Sequence, residues 1–145
     1  MKTINIKRFM DDKGEKQGYV PTRAHDTDAG MDLYAAEDTP YKPGDIISVS
    51  TKVAVEIAPG YVGFVRDRSS VSKSGLKVTA GIIDAGYTGE CVVVLLNLSG
   101  QHGCVRKGSK IAQILILPVA TPSIFEVGEL GASTRGNKGF GSSGT

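Results

Sequence analysis

No stretch of this chain keeps a helical apolar period long enough to bury one face of a helix. Short apolar runs at or near period two recur instead, cut by turn residues. Thr3 to Phe9 sets Ile4 and Ile6 on one face. Met31 to Ala35, Ile46 to Val49, Val53 to Ile57, Tyr61 to Val65, Leu76 to Val78, Gly81 to Asp84, Cys91 to Leu98, Ile111 to Leu117 and Ile124 to Val127 continue the series. Such runs suit strands with one buried face, and many of them at close spacing predict an antiparallel sandwich or barrel. Pro59-Gly60 is a turn signal, and Pro118 ends the run from Ile111. Arg68 to Gly75 departs from the pattern: it is serine-rich and predicts one helical turn capped by serine. Asp38 to Pro43 and Ser99 to Gly108 read as loops.

At 145 residues the chain suits one domain, here 1–130, followed by a small, polar tail over 131–145 that leaves the core. We find no internal repeat and no linker. A net charge of +2 is too small to argue for nucleic acid or membrane as a partner. Cys91 and Cys104 are too few for a disulfide scaffold, and no CxxC or HxxxH pair joins them to His25 and His102 as a zinc site. Two reduced thiols, a polar-apolar alternation at the N-terminus and no apolar run of spanning length make the cytoplasm the expected compartment.

Five stretches carry candidate chemistry. Gly81 to Glu90 places Asp84 and Tyr87 three residues apart, framed by glycines, and reads as a hairpin turn with an acid and a phenol at its tip. Arg68-Ser69-Ser70 is either a phosphate-gripping donor cluster or a capped helix start with a surface arginine. Asp32, between apolar neighbours, either helps to hold a cation through water or is a solvated residue of an edge strand. Gln113, inside an apolar strand, either faces solvent or meets a specific partner. The tail from Arg135 to Gly144 is a disordered end or an anion-binding lid: its glycines let N–H groups converge, Arg135 and Lys138 add charge, and Phe140 has a planar ring to stack with. Its literal G-x-G-x-x-G from Gly139 has no room for a following helix, which excludes a dinucleotide fingerprint.

In order, AGMDLYA (29–35), PGYVGFVRDRSS (ending at Ser70), GIIDAGYTGE (81–90), KGSKIAQILI (107–116) and RGNKGFGSSG (135–144) resemble the five motifs of the trimeric dUTPase family. The resemblance spans most of the chain. It implies a jelly-roll-like, distorted β-barrel with a flexible glycine-rich C-terminal arm, assembled as a homotrimer whose sites are shared between subunits. It also implies hydrolysis of dUTP to dUMP and pyrophosphate with Mg2+, which keeps uracil out of DNA and supplies dUMP for dTMP synthesis. By the same resemblance Asp84 would activate water at the α-phosphorus, and Tyr87 would exclude a 2′-hydroxyl. Val78, Ile82 and Ile83 would read uracil. Arg68, Ser69, Ser70 and Gln113 would hold phosphate and water, with Asp32 placing magnesium through water. Phe140 would stack on the base, Arg135 would hold the terminal phosphates, and Gly141 and Ser142 would add donors.

Three positions depart from the family pattern: Thr88 stands where arginine is frequent, Gly86 where a second acid is frequent, and Ser70 where glycine is frequent. A related dCTP deaminase shares the expected fold and a similar third motif, but the complete fifth motif argues against it. A regulatory protein that keeps the nucleotide pocket is the other alternative, and the intact Asp84 and Tyr87 argue against a purely non-catalytic one.

Overall fold

The computed structural model describes residues 3–134 and 136. Eleven strands and one short helix follow in the order β1 (Ile6–Arg8), β2 (Met31–Tyr34), β3 (Thr39–Tyr41), β4 (Ile46–Val49), β5 (Val53–Val55), β6 (Tyr61–Arg66), α1 (Ser69–Lys73), β7 (Leu76–Val78), β8 (Ile82–Ile83), β9 (Val93–Asn97), β10 (Gly103–Val105) and β11 (Lys110–Pro118). Every ladder is antiparallel. The strands form small sheets ordered β1-β5, β3-β10, β2-β11-β6-β8 and β4-β9-β7. Chain neighbours repeatedly pair elsewhere, and the result is the expected all-β, jelly-roll-like, distorted barrel.

Alternation decides which side chains enter the core. In β9 Val93, Leu95 and Asn97 are buried while Val94 and Leu96 are half-buried, and in β2 Met31 and Leu33 face inward. Leu33, Leu95, Ile114, Val49, Val53, Val55 and Val93 are essentially sealed from solvent within one apolar cluster. Burying a side chain of this size contributes about 1.5–3 kcal/mol.

Several expectations need correction. Two strands lie inside the segments read as loops: β3 and β10 pair with each other, with Pro40 opposite Cys104. Proline hid β3 from the pattern, yet it is tolerated in an isolated two-stranded ribbon where one N–H is not needed. Ile124 to Val127 is not a strand among the described residues; Ile124 is 96% exposed and Phe125 82%. The helix is capped by Arg68, in extended conformation and with no side-chain cap bond, so serine does not cap its start. The Ser74 hydroxyl instead donates to the Val71 carbonyl (2.7 Å) at the C-terminal end. Gly81 to Glu90 is also not a simple hairpin. Its flanking strands part company: β8 pairs with β6, while β9 pairs with β4 and β7.

Asn97 is the one fully buried amide side chain among the described residues, and all its bonding capacity is used. Its Nδ2 donates to the carbonyls of Lys42 (2.7 Å) and Gln101 (2.8 Å), and its Oδ1 accepts from the Ser99 N–H and hydroxyl. An isosteric apolar side chain would orphan the Gln101 carbonyl and leave the Lys42 carbonyl only the Asp45 N–H (3.2 Å). We expect Asn97→Leu to lower the free energy of unfolding by about 1–3 kcal/mol in urea titrations at fixed protein concentration. A loss within error of zero would show that water replaces the amide.

Candidate functional site

β11 runs between β2 and β6, and its register sets Gln113 opposite both Asp32 on β2 and Arg66 on β6. Arg68 follows β6 after Asp67 and is the N-cap of α1, so Ser69 and Ser70 arrive at the same place. These elements enclose an open cleft of about 490 Å3, lined by Gly30, Asp32, Arg68, Ser69, Ser70 and Gln113 together with Ala24, Asp28 and Ala29. Residues far apart in the sequence therefore share one polar surface.

Within the cleft Asp32 is the organising charge. Its Oδ1 meets Arg68 Nε at 2.7 Å and its Oδ2 meets Lys110 Nζ at 2.8 Å, with the carboxylate side chain only 13% exposed. The solvated edge-strand reading of Asp32 is thus corrected: β2 is an edge strand, but its acid turns inward onto two cations. That pairing holds the Lys110 ammonium above its ordinary pKa. Both carboxylate oxygens are engaged by side-chain cations. Among the described residues no group of three or more His, Cys, Asp or Glu could hold a metal ion. This donor set does not offer direct ligation; it fits only an ion that arrives on a ligand and is met through water.

Gln113 does not face solvent as an idle strand residue. Its Nε2 donates to the Asp67 carbonyl (2.9 Å). Gly30 makes room for it, since a Cβ at that position would lie 2.2 Å from Gln113 Oε1. Asp67 ties the cleft to the next element: its side chain accepts the Val78 N–H (2.6 Å) and pairs with the Lys77 ammonium. The Val78 N–H is therefore committed, and an incoming base edge cannot use it.

Asp84 and Tyr87 are elsewhere. They do not line this cleft. They sit on an exposed turn in which the Tyr87 N–H donates to the Asp84 carbonyl (3.2 Å) and Gly86 takes a φ of 84°. A positive φ at the third turn position favours glycine, which accounts for Gly86 where an acid is frequent. Beside it Ile82 is exposed and Ile83 half-buried opposite Gly63. Tyr87 and Thr88 line separate clefts of about 220 and 420 Å3 against the β1–β5 ribbon, with Asn5 and Glu56. So one chain gathers Asp32, Arg68, Ser69, Ser70 and Gln113, and holds Asp84 and Tyr87 apart from them. Arg135, Phe140, Gly141 and Ser142 lie outside the described residues.

A dUTPase family model matches residues 16–144 of this chain. The chain belongs to the dUTPase family. It is 40% identical to the deoxyuridine 5′-triphosphate nucleotidohydrolase of Clostridium tetani over 98% of its own length and 97% of that protein's. It is 46% identical to the protein of the same name from Mycobacterium marinum, covering 86% and 87% of the two chains. Among solved structures it superposes on the dUTPase of Staphylococcus bacteriophage 80alpha, bound to dUpNHpp, with a TM-score of 0.86 and 32% identity over the whole of both chains. A dUTPase mutant from phage phi11 of S. aureus, described as coordinating a structural Mg(II) ion, matches with a TM-score of 0.76 and 29% identity over 90% of this chain and 99% of that one.

Sequence patterns missed three residues that hold these groups in place. Lys110 and Asp67 lie inside quoted motifs, but nothing local marks them as partners of Asp32 and Gln113. Glu90 closes the third motif, and its role depends on a segment 38 to 40 residues away: its Oε1 accepts from the Ser50 hydroxyl and from the N–H groups of Thr51 and Lys52. Burial pushes the carboxyls of Asp67 and Glu90 up. Hydrogen bonds outweigh it, from Lys77 and Val78 for the first and from Ser50, Lys52 and Thr51 for the second, and both end below their ordinary values. Asp38 is lowered too, chiefly by the Lys107 N–H and Arg106.

Depressed carboxylates favour the folded state above their unfolded pKa, and the benefit is lost as pH falls through the folded values. We expect urea-unfolding free energies for this dUTPase to fall steadily below about pH 4.5, where ordinary carboxylates begin to protonate. Asp67→Asn should flatten part of that slope. A profile unchanged down to about pH 3 would show that these bonds carry no linkage.

Proposed function

We propose that this chain hydrolyses dUTP to dUMP and pyrophosphate, with Asp84 as the general base. The observation that carries the reading is the cleft in which Arg68, Ser69, Ser70 and Gln113 converge while the acid stands outside it on an exposed turn. Its fit to dUTPases of known structure, one of them bound to dUpNHpp, supports the substrate class. A water held near Asp84 gives its proton to the carboxylate and attacks the α-phosphorus. The bond from that phosphorus to the bridging oxygen of the β-phosphate breaks, and pyrophosphate leaves. A carboxylate is a suitable proton acceptor for this step. The Arg68 guanidinium and the serine donors neutralise charge on the phosphates, and Gln113 orients water or phosphate.

Tyr87 lies against the deoxyribose in this reading and leaves no space for a 2′-hydroxyl. Ile82 and Ile83, with Val78 through groups other than its N–H, read the uracil edge. Magnesium would supply charge neutralisation on the triphosphate when bound, and Asp32 would help to place it through water. Arg135, Phe140, Gly141 and Ser142 of the 131–145 tail close over the nucleotide bound to the 1–130 domain.

The same geometry argues for a homotrimer with shared sites. Asp84 and Tyr87 do not reach the phosphate cleft of their own chain, so the groups meet across a subunit boundary. Ile124, Phe125 and Leu130, each more than 80% exposed, supply apolar surface for a neighbouring copy. The cytoplasm suits this role and the free thiols of Cys91 and Cys104.

Two experiments test the reading. Purified protein with magnesium should release pyrophosphate from dUTP and no ammonia from dCTP, and Asp84→Asn should lower kcat by at least about a hundredfold. Near-normal turnover in that variant would end the mechanism, and ammonia from dCTP would turn the assignment to a deaminase. For the shared site, Asp84→Asn and Arg68→Ala chains are unfolded, mixed in equal amounts and refolded together. Each site then has about one chance in four of drawing both intact groups, so about a quarter of wild-type activity should return. No recovery in mixed trimers would place both groups on one chain.

A further inference from the structure

The third motif ends in Glu90, and neither the proposed chemistry nor the phosphate cleft uses it. Its side chain is only 22% exposed. One oxygen, Oε1, accepts from the Ser50 hydroxyl (2.5 Å) and from the successive N–H groups of Thr51 and Lys52 (2.9 Å each); the other faces Lys52 Nζ at 3.8 Å. Lys52 has a φ of 55°, the sole positive value at a non-glycine residue among those described. Adjacent N–H groups aimed at one point form an anion nest. A strained residue of this kind costs about 1–3 kcal/mol and persists only where its surroundings over-determine it. Here the anion is built in: it is the Glu90 carboxylate.

The 50–52 segment is itself fixed from several sides. The Ser50 carbonyl accepts the Ala36 N–H (2.8 Å), and the Lys52 carbonyl accepts the Phe9 N–H (3.0 Å). The Thr51 hydroxyl donates to the Cys91 carbonyl (2.8 Å), and the Cys91 N–H donates to the Val53 carbonyl (2.8 Å). From the opposite direction the Tyr87 hydroxyl donates to the Glu90 carbonyl (3.1 Å). The Tyr87 ring lies over Gly89 so closely that a Cβ there would fall 2.4 Å from its hydroxyl oxygen. Contacts therefore run without a gap from a rigid segment, through Glu90, to Tyr87.

We infer that Glu90 is a positioning residue: by filling the nest at 50–52 it holds the Asp84–Tyr87 turn at one height, and so sets the discrimination between deoxyribose and ribose. The inference rests on the reading of Tyr87 as the sugar-facing ring. What matters is hydrogen-bond acceptance at the position of Oε1, not charge alone. Glutamine can still accept there, whereas aspartate keeps the charge but draws it back by one methylene.

The test compares Glu90→Asp and Glu90→Gln with wild type, using dUTP and UTP as substrates and amide hydrogen exchange on peptides covering 49–53 and 84–92. In Glu90→Asp the ratio of kcat/KM for dUTP over UTP should fall about tenfold or more, as expected when a contact group shifts by about 1 Å. Exchange should quicken in both peptides. Glu90→Gln should keep the ratio within about threefold of wild type, because its amide oxygen accepts the same bonds. A Glu90→Asp enzyme that keeps wild-type selectivity and protection, or loses only thermal stability, overturns the inference. So does a Glu90→Gln enzyme as impaired as Glu90→Asp. If wild type fails to hydrolyse dUTP, the functional reading falls, while the exchange data still decide whether Glu90 anchors the turn.

Discussion

The pairing of β11 with both β2 and β6 is the constraint on which the phosphate cleft depends. A strand presents alternate side chains to opposite faces, so a slip of one residue would turn Gln113 from the cleft toward the core. The ladder prevents this by burying Ile111, Ala112 and Ile114 around it. With the register held, Gln113 faces Asp32 on one side and Arg66 on the other. Asp32 then meets Arg68 and Lys110, and Asp67 offers its carbonyl to the glutamine. Core packing thus sets the positions of Gln113 and Asp32, and through Asp32 that of Arg68.

Polar anchors do for the loops what the ladder does for the sheet. Asn97 and Thr51 are buried, and each has its hydrogen-bonding groups met, as buried polar groups require. Both bind segments that carry no regular structure of their own. Glu90 extends this logic to the exposed turn. A turn holding a proposed general base must face solvent and substrate, so it cannot be steadied by apolar burial, and a carboxylate in a backbone nest steadies it from behind.

The separation of Asp84 from the cleft suits the proposed trimer. In that assembly a site split between copies would exist only in the oligomer, and one chain would carry paired cations at Arg68 and Lys110 apart from its own proposed general base. Asp32 pairs with both cations and offsets one of their two charges. In the proposed trimer a neighbouring copy would cover Ile124, Phe125 and Leu130, which stand exposed after β11.

Much of this was legible in the sequence, for local reasons. Period-two alternation is a property of neighbouring residues, so the strands from Met31, Ile46, Val53, Tyr61, Leu76, Cys91 and Ile111 could be read directly. The five motifs kept their order, and with them Asp84, Tyr87, Arg68 and Gln113 as candidates. Long-range pairing was not legible. β3 and β10 look like loops until Pro40 meets Cys104, and the 81–90 stretch looks like a hairpin until β8 chooses β6. The apolar run from Ile124 to Val127 looks like a strand, but alternation reports only that a residue seeks burial, not that its own chain supplies the cover. Glu90, Asp67 and Lys110 acquire their partners only from the tertiary structure, because a hydrogen bond across tens of residues leaves no trace in the spacing of either partner.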